Sequence, residues 1–452
     1  MATADTTIRP QTPDAPPIEG LPPGPRTPPA YNTALFTRRP LQTLTAWRRR
    51  YGDLFTVRLL VFGTGVYVAD PEAVKGLLTG DQSDLHAGEA NEPLTPLVGE
   101  HSVLVLDGPE HLRQRRLLLP PFQGSHVQDF RRVIREVAEA EVSRWRPGQR
   151  LVLRERMRAL TFEVICRAVF GVAEPDRVER LRGALAPLMD SGSLAFFTPQ
   201  RLRVNLGPIT PWGLLQRRLA RADELLYDEI ERRRGASDLE RRTDVLSLLM
   251  RARDEGGRPM SARELRDELM TMLAAGHETT ATGLAFALDL LMHHPEVLAR
   301  LIEELPGGDD RYLDAVVTES LRLRPVIDAS ERTLTRPRVV GEYLLPAGIR
   351  VYPGIALLHR REEIYPEPEA FRPERFLDGV TESYSWLPFG GGIRRCIGAA
   401  LAQAEMAEVL RTVLGRVELR PLRPEPDPVV LSGITLVPRH GTRAVVQRVA
   451  SS

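Results

Sequence analysis

Apolar positions recur at helical spacing over two long parts of the chain, residues 109–171 and residues 214–323. Short runs of β-branched and aromatic residues lie outside these parts and predict strands at 53–60, 65–69, 333–335, 349–352 and 434–436. The chain has no internal repeat, and no linker beyond residue 30 divides it. We therefore expect one body of mainly α structure with minor β, an α+β fold class.

Two stretches break the helical pattern, residues 80–106 and residues 191–213. Both contain glycine, proline and polar residues with scattered apolar side chains between them. Irregular segments of this length inside a domain are typical of lids that cover a ligand. We expect the two stretches to be such lids.

The start of the chain is rich in proline, which favours extended structure over packed helix. We expect a disordered leader over residues 1–20 and a single domain over residues 21–452. Within that domain, residues 21–29 are predicted to lie as a stiff strap on the body.

A capping box formed by Ser261 and Glu264 predicts the start of the longest helix. The helical pattern continues from there to the proline at position 295. A helix of about 30 residues is about 45 Å long at 1.5 Å per residue, which is enough to cross a domain. We expect the rest of the fold to pack around it.

The middle of this helix contains Gly276, Thr279 and Thr280 among good helix formers. One interpretation is a widened turn that makes room for a small ligand, where Glu278 and Thr279 supply a carboxylate and a hydroxyl for proton transfer. The other is a set of polar residues tolerated on a surface helix. This segment alone leaves both open.

The charge balance argues against a nucleic-acid partner. Lys and Arg number 61 and Asp and Glu number 60, so the net charge is +1 and no basic field surrounds the protein. No apolar run is long enough to cross a membrane, and no signal peptide precedes the domain. We expect a cytoplasmic monomer without a membrane anchor.

The two cysteines, Cys166 and Cys396, lie in different settings, which excludes a disulfide framework. Cys166 lies in an apolar helical run and is predicted to be a core residue. Cys396 lies in a glycine-rich turn, after Phe389 and beside two arginines, with an alanine-rich helical run behind it. A helix N-terminus and nearby arginines stabilise a thiolate, so we interpret Cys396 as a ligand to iron.

Glu319 and Arg322 are three residues apart on a predicted helix over residues 310–324 and so share a face. Apolar neighbours indicate that the pair is buried, and Arg375 offers a second guanidinium to the same carboxylate. A catalytic Glu319 is the alternative. It is disfavoured because a carboxylate paired with arginine makes a poor proton shuttle.

Four separated segments together resemble one family. The cysteine turn fits the heme-thiolate signature Phe-x-x-Gly-x-Arg-x-Cys-x-Gly at Phe389, Gly392, Arg394, Cys396 and Gly398. The segments 275–280, 319–322 and 373–376 follow the order and approximate spacing seen in cytochromes P-450. The chain resembles a cytochrome P-450 over almost its whole length, which implies a triangular helical body with a long central helix and small β-sheets.

The resemblance also implies a cofactor, heme b (iron protoporphyrin IX), and a set of residues around it. Cys396 would be the metal ligand. Glu278 and Thr279 would carry protons to the oxygen side of the heme, and Thr280 would support them as the third residue of the catalytic set. Glu319, Arg322 and Arg375 would be structural. The residues expected to contact the heme are His111, Arg115, Ala275, Gly276, Arg332, Phe389, Arg394, Cys396 and Gly398.

The function implied by this resemblance is a heme-thiolate monooxygenase that inserts one atom of O2 into a mainly apolar small molecule. Hydroxylation or epoxidation of a fatty acid, terpenoid, steroid or polyketide in secondary metabolism is expected. No flavin or iron–sulfur domain is expected in the chain, so electrons would come from a ferredoxin and its NAD(P)H-dependent reductase. Oxidative coupling, desaturation, a peroxygenase or a non-catalytic heme sensor are the alternatives.

Substrate specificity is expected to belong to the two lids and to nearby segments. Their walls are mostly apolar, and Asp328 is the one polar anchor that we expect in the pocket. The histidines at 277, 293, 294 and 359 are predicted to be structural. The predicted pocket walls are residues 86–105, 194–197, 270–275, 326–329 and 432–435.

Overall fold

Helices form most of the protein, and the computed structural model describes residues 16–60, 62–196, 203–379 and 384–449. The helices are α1 (Pro29–Arg38), α2 (Pro40–Tyr51), α3 (Pro71–Thr79), α4 (Ala87–Ala90), α5 (Thr95–Val98), α6 (Gly108–Leu118), α7 (Ser125–Val142), α8 (Leu153–Ala168), α9 (Pro175–Phe196), α10 (Pro211–Arg234), α11 (Val245–Arg251), α12 (Ala262–His293), α13 (Pro295–Glu304), α14 (Arg311–Leu323), α15 (Ile355–Leu358) and α16 (Ala399–Arg416).

The strands are short and form small separate sheets. They are β1 (Ile18–Glu19), β2 (Leu54–Leu59), β3 (Gly63–Val68), β4 (Leu85–His86), β5 (Arg150–Val152), β6 (Arg332–Leu334), β7 (Arg338–Val340), β8 (Tyr343–Leu345), β9 (Arg350–Pro353), β10 (Val417–Pro421), β11 (Val429–Ser432), β12 (Thr435–Pro438) and β13 (Arg443–Val449). Their orders are β2-β3-β9-β6-β4, β1-β8-β7, β10-β13-β5 and β11-β12. The predicted α+β class is confirmed.

The central helix α12 begins as its sequence predicts. The Ser261 side chain accepts the Glu264 backbone N–H, and the Glu264 carboxylate accepts the Ser261 N–H, so both halves of the capping box are present. Most of the helix is buried among α8, α10, α14 and α16, and its side chains belong to the largest apolar cluster. This burial, more than helix propensity, stabilises so long a helix.

The N-terminal strap packs against the hairpin of β2 and β3. Thr56 donates its backbone N–H to the Pro23 carbonyl at 3.0 Å and its hydroxyl to the Pro22 carbonyl at 2.7 Å. A Cβ on Gly24 would lie 1.9 Å from the Thr56 carbonyl oxygen, so only glycine permits this approach. The extended, proline-rich sequence is therefore used as an edge contact.

The predicted boundaries need three corrections. Within the predicted leader, β1 pairs in parallel with β8, so disorder is wrong for Ile18 and Glu19, while residues 1–15 lie outside the described residues. The first predicted lid contains the short elements β4, α4 and α5. In the second, α9 continues to Phe196, and residues 197–202 lie outside the described residues. Among the helices described here, none is long and apolar enough to cross a bilayer.

Candidate active site

The cysteine loop is a tight turn between the segment before Phe389 and the helix α16. The Cys396 backbone N–H donates to the Phe389 carbonyl at 2.9 Å, which closes the turn. Gly390 and Gly392 have φ of +67° and +62°, and a Cβ on Gly392 would lie 1.8 Å from the Leu78 carbonyl oxygen. The turn therefore needs glycine at position 392 for both its backbone angle and its close packing.

The structure defines two further features of this loop. The helix α16 begins at Ala399, not at Cys396, so its N-terminus lies three residues beyond the sulfur. Gly398 has an ordinary φ of −83° and open space where a side chain would lie. The Gly398 backbone N–H nevertheless acts to lower the pKa of the Cys396 thiol, so this residue contributes an amide donor and not a special backbone angle.

The Cys396 side chain faces accessible space even though protein surrounds it. The residue is exposed, yet burial raises the pKa of its thiol, opposed by the Gly398 N–H and by the charges of Arg115 and Arg395. Ala275 is likewise exposed in the middle of the largely buried helix α12. Accessible surface on both residues inside the body is typical of a ligand-binding space, with a soft sulfur ligand on the loop.

Four basic residues expected at the heme interact with one another. Burial, together with the charges of Arg394, Arg115 and Arg332, lowers the pKa of His111 to about 3, so the imidazole is neutral. Burial also lowers the pKa of Arg332 and of Arg394 to about 10 in each case. Arginines this close to one another repel, and an anion between them would relieve the repulsion.

The nitrogen donors of these four basic residues differ in whether they have a hydrogen-bond partner. Within the described part of the chain, Nδ1 of His111 and both Nε and Nη2 of Arg332 are buried and have no hydrogen-bond partner. Arg115 donates to the Arg395 carbonyl at 2.7 Å, which braces the cysteine loop. Arg394 donates to Asp107 and to the carbonyls of Val103 and Leu106. His111 and Arg332 therefore present unpaired donors, whereas Arg394 is bonded to residues 103–107.

The carboxylate of Glu278 is bound by two arginines, Arg154 and Arg158, which the sequence did not connect with it. We call this pair the arginine clasp. Arg154 Nη2 lies 2.8 Å from Oε2 of the carboxylate and Arg158 Nε lies 2.6 Å from Oε1, both from α8. Arg154 also donates to the Thr282 hydroxyl at 3.2 Å. The four-residue spacing of the two arginines puts them on one helix face, but nothing in the sequence connects that face to Glu278.

Of the two interpretations of the segment beside Glu278, the widened turn is not the one that the structure shows. The backbone is α-helical throughout Ala262–His293, and the Thr279 hydroxyl donates to the Ala275 carbonyl within the helix. A Cβ on Gly276 would lie 3.4 Å from Cδ1 of Ile165, so this glycine faces α8, while Ala275 faces the accessible space. Thr280 is buried and Thr279 is half-buried.

The carboxylate of Glu319 is fully buried and held by arginine, as its spacing predicted. Arg322 donates through Nε at 2.6 Å and Nη2 at 2.8 Å, and Arg375 Nε donates at 3.2 Å. The backbone N–H of Arg372 donates at 2.9 Å. With these four bonds, Glu319 has a structural environment and no access to the space beside Cys396.

Asp328, expected as a polar anchor in the pocket, is oriented elsewhere. It is buried and its Oδ2 accepts the hydroxyl of Tyr67, a residue of β3, at 2.6 Å. Tyr67 stacks on Tyr352 with ring centroids 4.9 Å apart. Burial raises the pKa of Asp328 to about 6. The anchor prediction is therefore wrong, because a tyrosine distant in sequence binds the carboxyl inside the sheet.

The predicted structural histidines are bonded to the backbone. The Leu387 N–H donates to His359 Nε2 at 2.8 Å, and the other ring nitrogen lies 3.2 Å from the Arg322 carbonyl. His277 Nε2 lies 2.9 Å from the Arg158 carbonyl. Among the described residues, no group of three or more His, Cys, Asp or Glu side chains could hold a metal ion. A single sulfur ligand therefore suits a metal that its cofactor already coordinates.

The residues present fit a heme on these observations. The carboxylates of a porphyrin would satisfy the unpaired donors of His111 and Arg332, and a bound iron would favour the thiolate of Cys396 against the effect of burial. The exposed face at Ala275 lies on the helix that also carries Glu278 and Thr279. A heme held by these residues would lie between the cysteine loop and α12.

Comparisons with known proteins agree with this fit. The sequence model of the family described as Cytochrome P450 matches residues 22–442. Cytochrome P450 135B1 of Mycobacterium bovis is 43% identical over 438 residues, which cover 95% of this chain and 92% of the relative. Cytochrome P450 135A1 of Mycobacterium tuberculosis is 40% identical over 436 residues, which cover 95% of this chain and 96% of the relative.

Solved structures show the same fold. The crystal structure of the cytochrome P450DA heme domain superimposes with a TM-score of 0.83 at 25% identity and covers 96% of this chain and 99% of that one. The retinoic acid-bound cyanobacterial CYP120A1 gives a TM-score of 0.82 at 24% identity, with coverage of 96% and 100%. The chain belongs to the cytochrome P450 family. It is a heme-thiolate monooxygenase, an oxidoreductase that uses O2 and electrons from a redox partner.

Proposed function

We propose that this enzyme inserts one oxygen atom into a mainly apolar small molecule, by hydroxylation or epoxidation, with electrons from a ferredoxin and its NAD(P)H-dependent reductase. The observation that carries the proposal is the acid and alcohol pair, Glu278 and Thr279, on the α12 face next to the exposed Ala275. Heme with a thiolate ligand supplies the oxygen-activating chemistry when bound. The protein supplies orientation, protons and exclusion of water.

Each residue near the heme has a proposed role. Cys396 is the iron ligand, and the Gly398 N–H and the Phe389 turn hold its sulfur. His111, Arg115, Arg332 and Arg394 surround the propionates, with Arg332 and His111 donating directly from their unpaired nitrogens. Ala275 leaves room beside the oxygen side, and Gly276 lets α12 approach α8.

Proton delivery requires Glu278 to change partners. Both of its oxygens already contact guanidinium groups, one from Arg154 and one from Arg158. A carboxylate in this clasp can accept a proton from solvent and pass it to Thr279 only after one arginine moves away. Glu278 is half-buried, and such a movement would expose it to water on the side of α8. Thr280 supports the helix from its buried side.

The alcohol is tested by Thr279→Ala, with Thr279→Ser as the matched control that keeps the hydroxyl. We expect product formed per O2 consumed to fall on the order of 10²-fold in the alanine variant and to stay near the wild-type value in the serine variant. Oxygen uptake and product are measured together with a ferredoxin and reductase. If Thr279→Ala formed as much product per O2 consumed as the wild type, the proposed proton relay would be wrong. Turnover with peroxide alone would support a peroxygenase instead.

An apolar substrate is proposed from the residues around the accessible space. Within the predicted pocket walls, Ala275 is exposed, Met272 and Leu104 are half-buried, and the carboxyl group of Asp328 is bonded to Tyr67. A spectral binding screen of fatty acids, terpenoids, steroids and polyketides tests this class. We expect uncharged, apolar compounds to shift the Soret band of the holoenzyme. Binding only of charged, polar compounds would contradict the proposal.

The ferredoxin is proposed to dock beside the cysteine loop, where Arg395 is exposed. Ferredoxins are acidic, and charge complementarity mainly affects the rate of association. We expect Arg395→Glu to slow reduction of the heme at low salt by roughly 10-fold or more and to matter less at high salt. An unchanged rate of reduction would place the docking surface elsewhere.

The metal ligand is tested by Cys396→Ser. The carbon monoxide spectrum of the reduced wild type is expected to have the Soret band of a thiolate-bound heme, and the serine variant is expected to lose it. Retention of that band in the variant would mean that another residue binds the iron.

A further inference from the structure

Three consecutive residues between α5 and α6 are bonded to side chains of α12. The His101 backbone N–H donates to Asp267 Oδ2 at 3.0 Å, and the Val103 N–H donates to Glu268 Oε1 at 2.9 Å. Between them, the Thr271 hydroxyl donates to the Ser102 hydroxyl at 2.6 Å. The first turns of α12 therefore fix the path of residues 101–103.

The same segment is also bonded to the cysteine loop, on its other side. Arg394 Nη1 donates to the Val103 carbonyl at 3.1 Å, and Nη2 donates to the Leu106 carbonyl at 2.5 Å and to Asp107. Val103 thus binds α12 through its N–H and the cysteine loop through its carbonyl. A displacement of Val103 would be transmitted to the guanidinium of Arg394, two residues before Cys396.

Glu268 has an unusual environment for an acid. Its side chain is 0% exposed, and its second oxygen, Oε2, has no hydrogen-bond partner within the described part of the chain. Burial raises the pKa of Glu268 well above its ordinary value, and the charges of Asp267 and Glu264 raise it further, against the effect of the Val103 N–H. The site therefore favours the protonated acid over the carboxylate.

The nearby cations are bonded to other acids. Arg266 donates to Asp267 and to Asp223. The ring of His101 faces Asp267 at 3.0 Å, and Gln114 and Arg113 bind Glu264. An ionised Glu268 would thus lie beside two carboxylates with no cation of its own.

We propose that Glu268 is a positioning residue for the heme. Its carboxyl oxygen holds the Val103 N–H, and through Val103 it sets the guanidinium of Arg394, so that a negative charge on Glu268 loosens the heme. The proposal rests on the heme of the family and not on any substrate. An ionised Glu268 would be repelled by Asp267 and Glu264 and would move away from them. This movement would displace the Val103 N–H and weaken the connection that Val103 makes between α12 and the cysteine loop.

Heme transfer from the resting holoenzyme to excess apomyoglobin tests this proposal from about pH 6 to about pH 10. Glu268→Gln keeps the oxygen that accepts the Val103 N–H but cannot ionise, whereas Glu268→Ala removes the acceptor. Glu100→Gln makes the same chemical change at an exposed residue of the same segment and is the matched control. No substrate or reductant is present, so the result is independent of the proposed oxidation.

We expect the wild type and Glu100→Gln to lose heme at least about 10-fold faster at the alkaline end than at neutral pH. Glu268→Gln is expected to lose heme slowly throughout, and Glu268→Ala to lose it quickly at every pH. An alkaline acceleration that persists in Glu268→Gln would overturn the role of ionisation. Wild-type heme retention by Glu268→Ala would overturn the positioning role altogether.

Discussion

Two acids on neighbouring helices, Glu319 on α14 and Glu405 on α16, are almost equally buried but have opposite surroundings. Their exposed fractions are 0% and 4%. Glu319 accepts two hydrogen bonds from Arg322, one from Arg375 and one from a backbone N–H. Glu405 has an oxygen without a partner in the described part of the chain, and burial alone raises its pKa to about 8.

The difference shows that partners, and not burial, determine whether a buried acid carries charge. Water cannot solvate either group, so a carboxylate persists only where protein donors replace the lost hydration. Glu319 has that replacement from an arginine fork. Glu405 has none and keeps its proton at neutral pH, since its pKa is about 8. Glu268 is intermediate, with one N–H donor and, among the residues that the structure describes, no cationic partner.

The largest effect is expected from Arg322→Met, which removes the main partner of Glu319. Arg322 is itself fully buried and also donates to the carbonyls of His359, Pro368 and Ala370. The variant leaves a buried carboxylate and three carbonyls short of donors, so the free energy of unfolding should fall by about 3–5 kcal/mol. Denaturant unfolding of the holoenzyme measures it.

A double variant separates two effects on stability, that of the buried charge left without a partner and that of the lost packing. Glu319→Leu combined with Arg322→Met removes both charges, and we expect it to recover a substantial part of the stability that Arg322→Met loses. If Glu319→Leu lowered the free energy of unfolding of Arg322→Met as much as it lowers that of the wild type, the comparison between paired and unpaired acids would fail.

The second effect concerns Glu405 and pH. The folded protein holds a proton on Glu405 that the unfolded chain releases above the ordinary carboxyl pKa of 4.5. The free energy of unfolding should therefore fall as pH rises between 4.5 and about 8, by about 1.4 kcal/mol per pH unit at most. Glu405→Gln removes this dependence and should be more stable than wild type near neutral pH by about 1–3 kcal/mol.

Unfolding of both proteins across this pH range decides the point. Stability curves that coincide at acidic pH and separate as pH rises are expected. Parallel curves would show that Glu405 is not protonated in the folded state. Glu362→Gln, at an exposed acid, is the control and should follow the wild type.

The sequence predicted the paired acid because its partner is close along the chain. Glu319 and Arg322 lie one helical turn apart, and the apolar residues around them indicated burial. The cysteine loop was predicted for a similar reason, since its glycines and its ligand lie within ten residues. Local spacing and turn geometry are written in neighbouring residues, so they can be inferred before the fold is known.

Contacts between distant segments could not be predicted in this way. The arginines that clasp Glu278 lie 120 and more positions away, and Tyr67, which binds Asp328, is separated from it by 261 positions. Such contacts depend on how helices and strands pack, and a single sequence carries no signal for them. The sequence could not decide between a widened turn and a regular helix at Gly276 for a related reason, because this glycine serves the contact between α8 and α12.

The smallest effect is expected from Arg232→Met, which breaks an ion pair that has the helical geometry of a salt bridge but lies in water. Arg232 Nε lies 2.9 Å from Oδ2 of Asp228, a distance within 0.3 Å of that between Arg322 and Glu319, and both side chains are more than half exposed. Water replaces the lost partner, so the cost should be roughly 0.3 kcal/mol. Denaturant unfolding of Arg232→Met and Arg322→Met at the same salt concentration measures this cost. If the two variants lost similar amounts of unfolding free energy, the loss of arginine packing would explain the instability of Arg322→Met. The buried carboxylate left without a partner would then not be its cause.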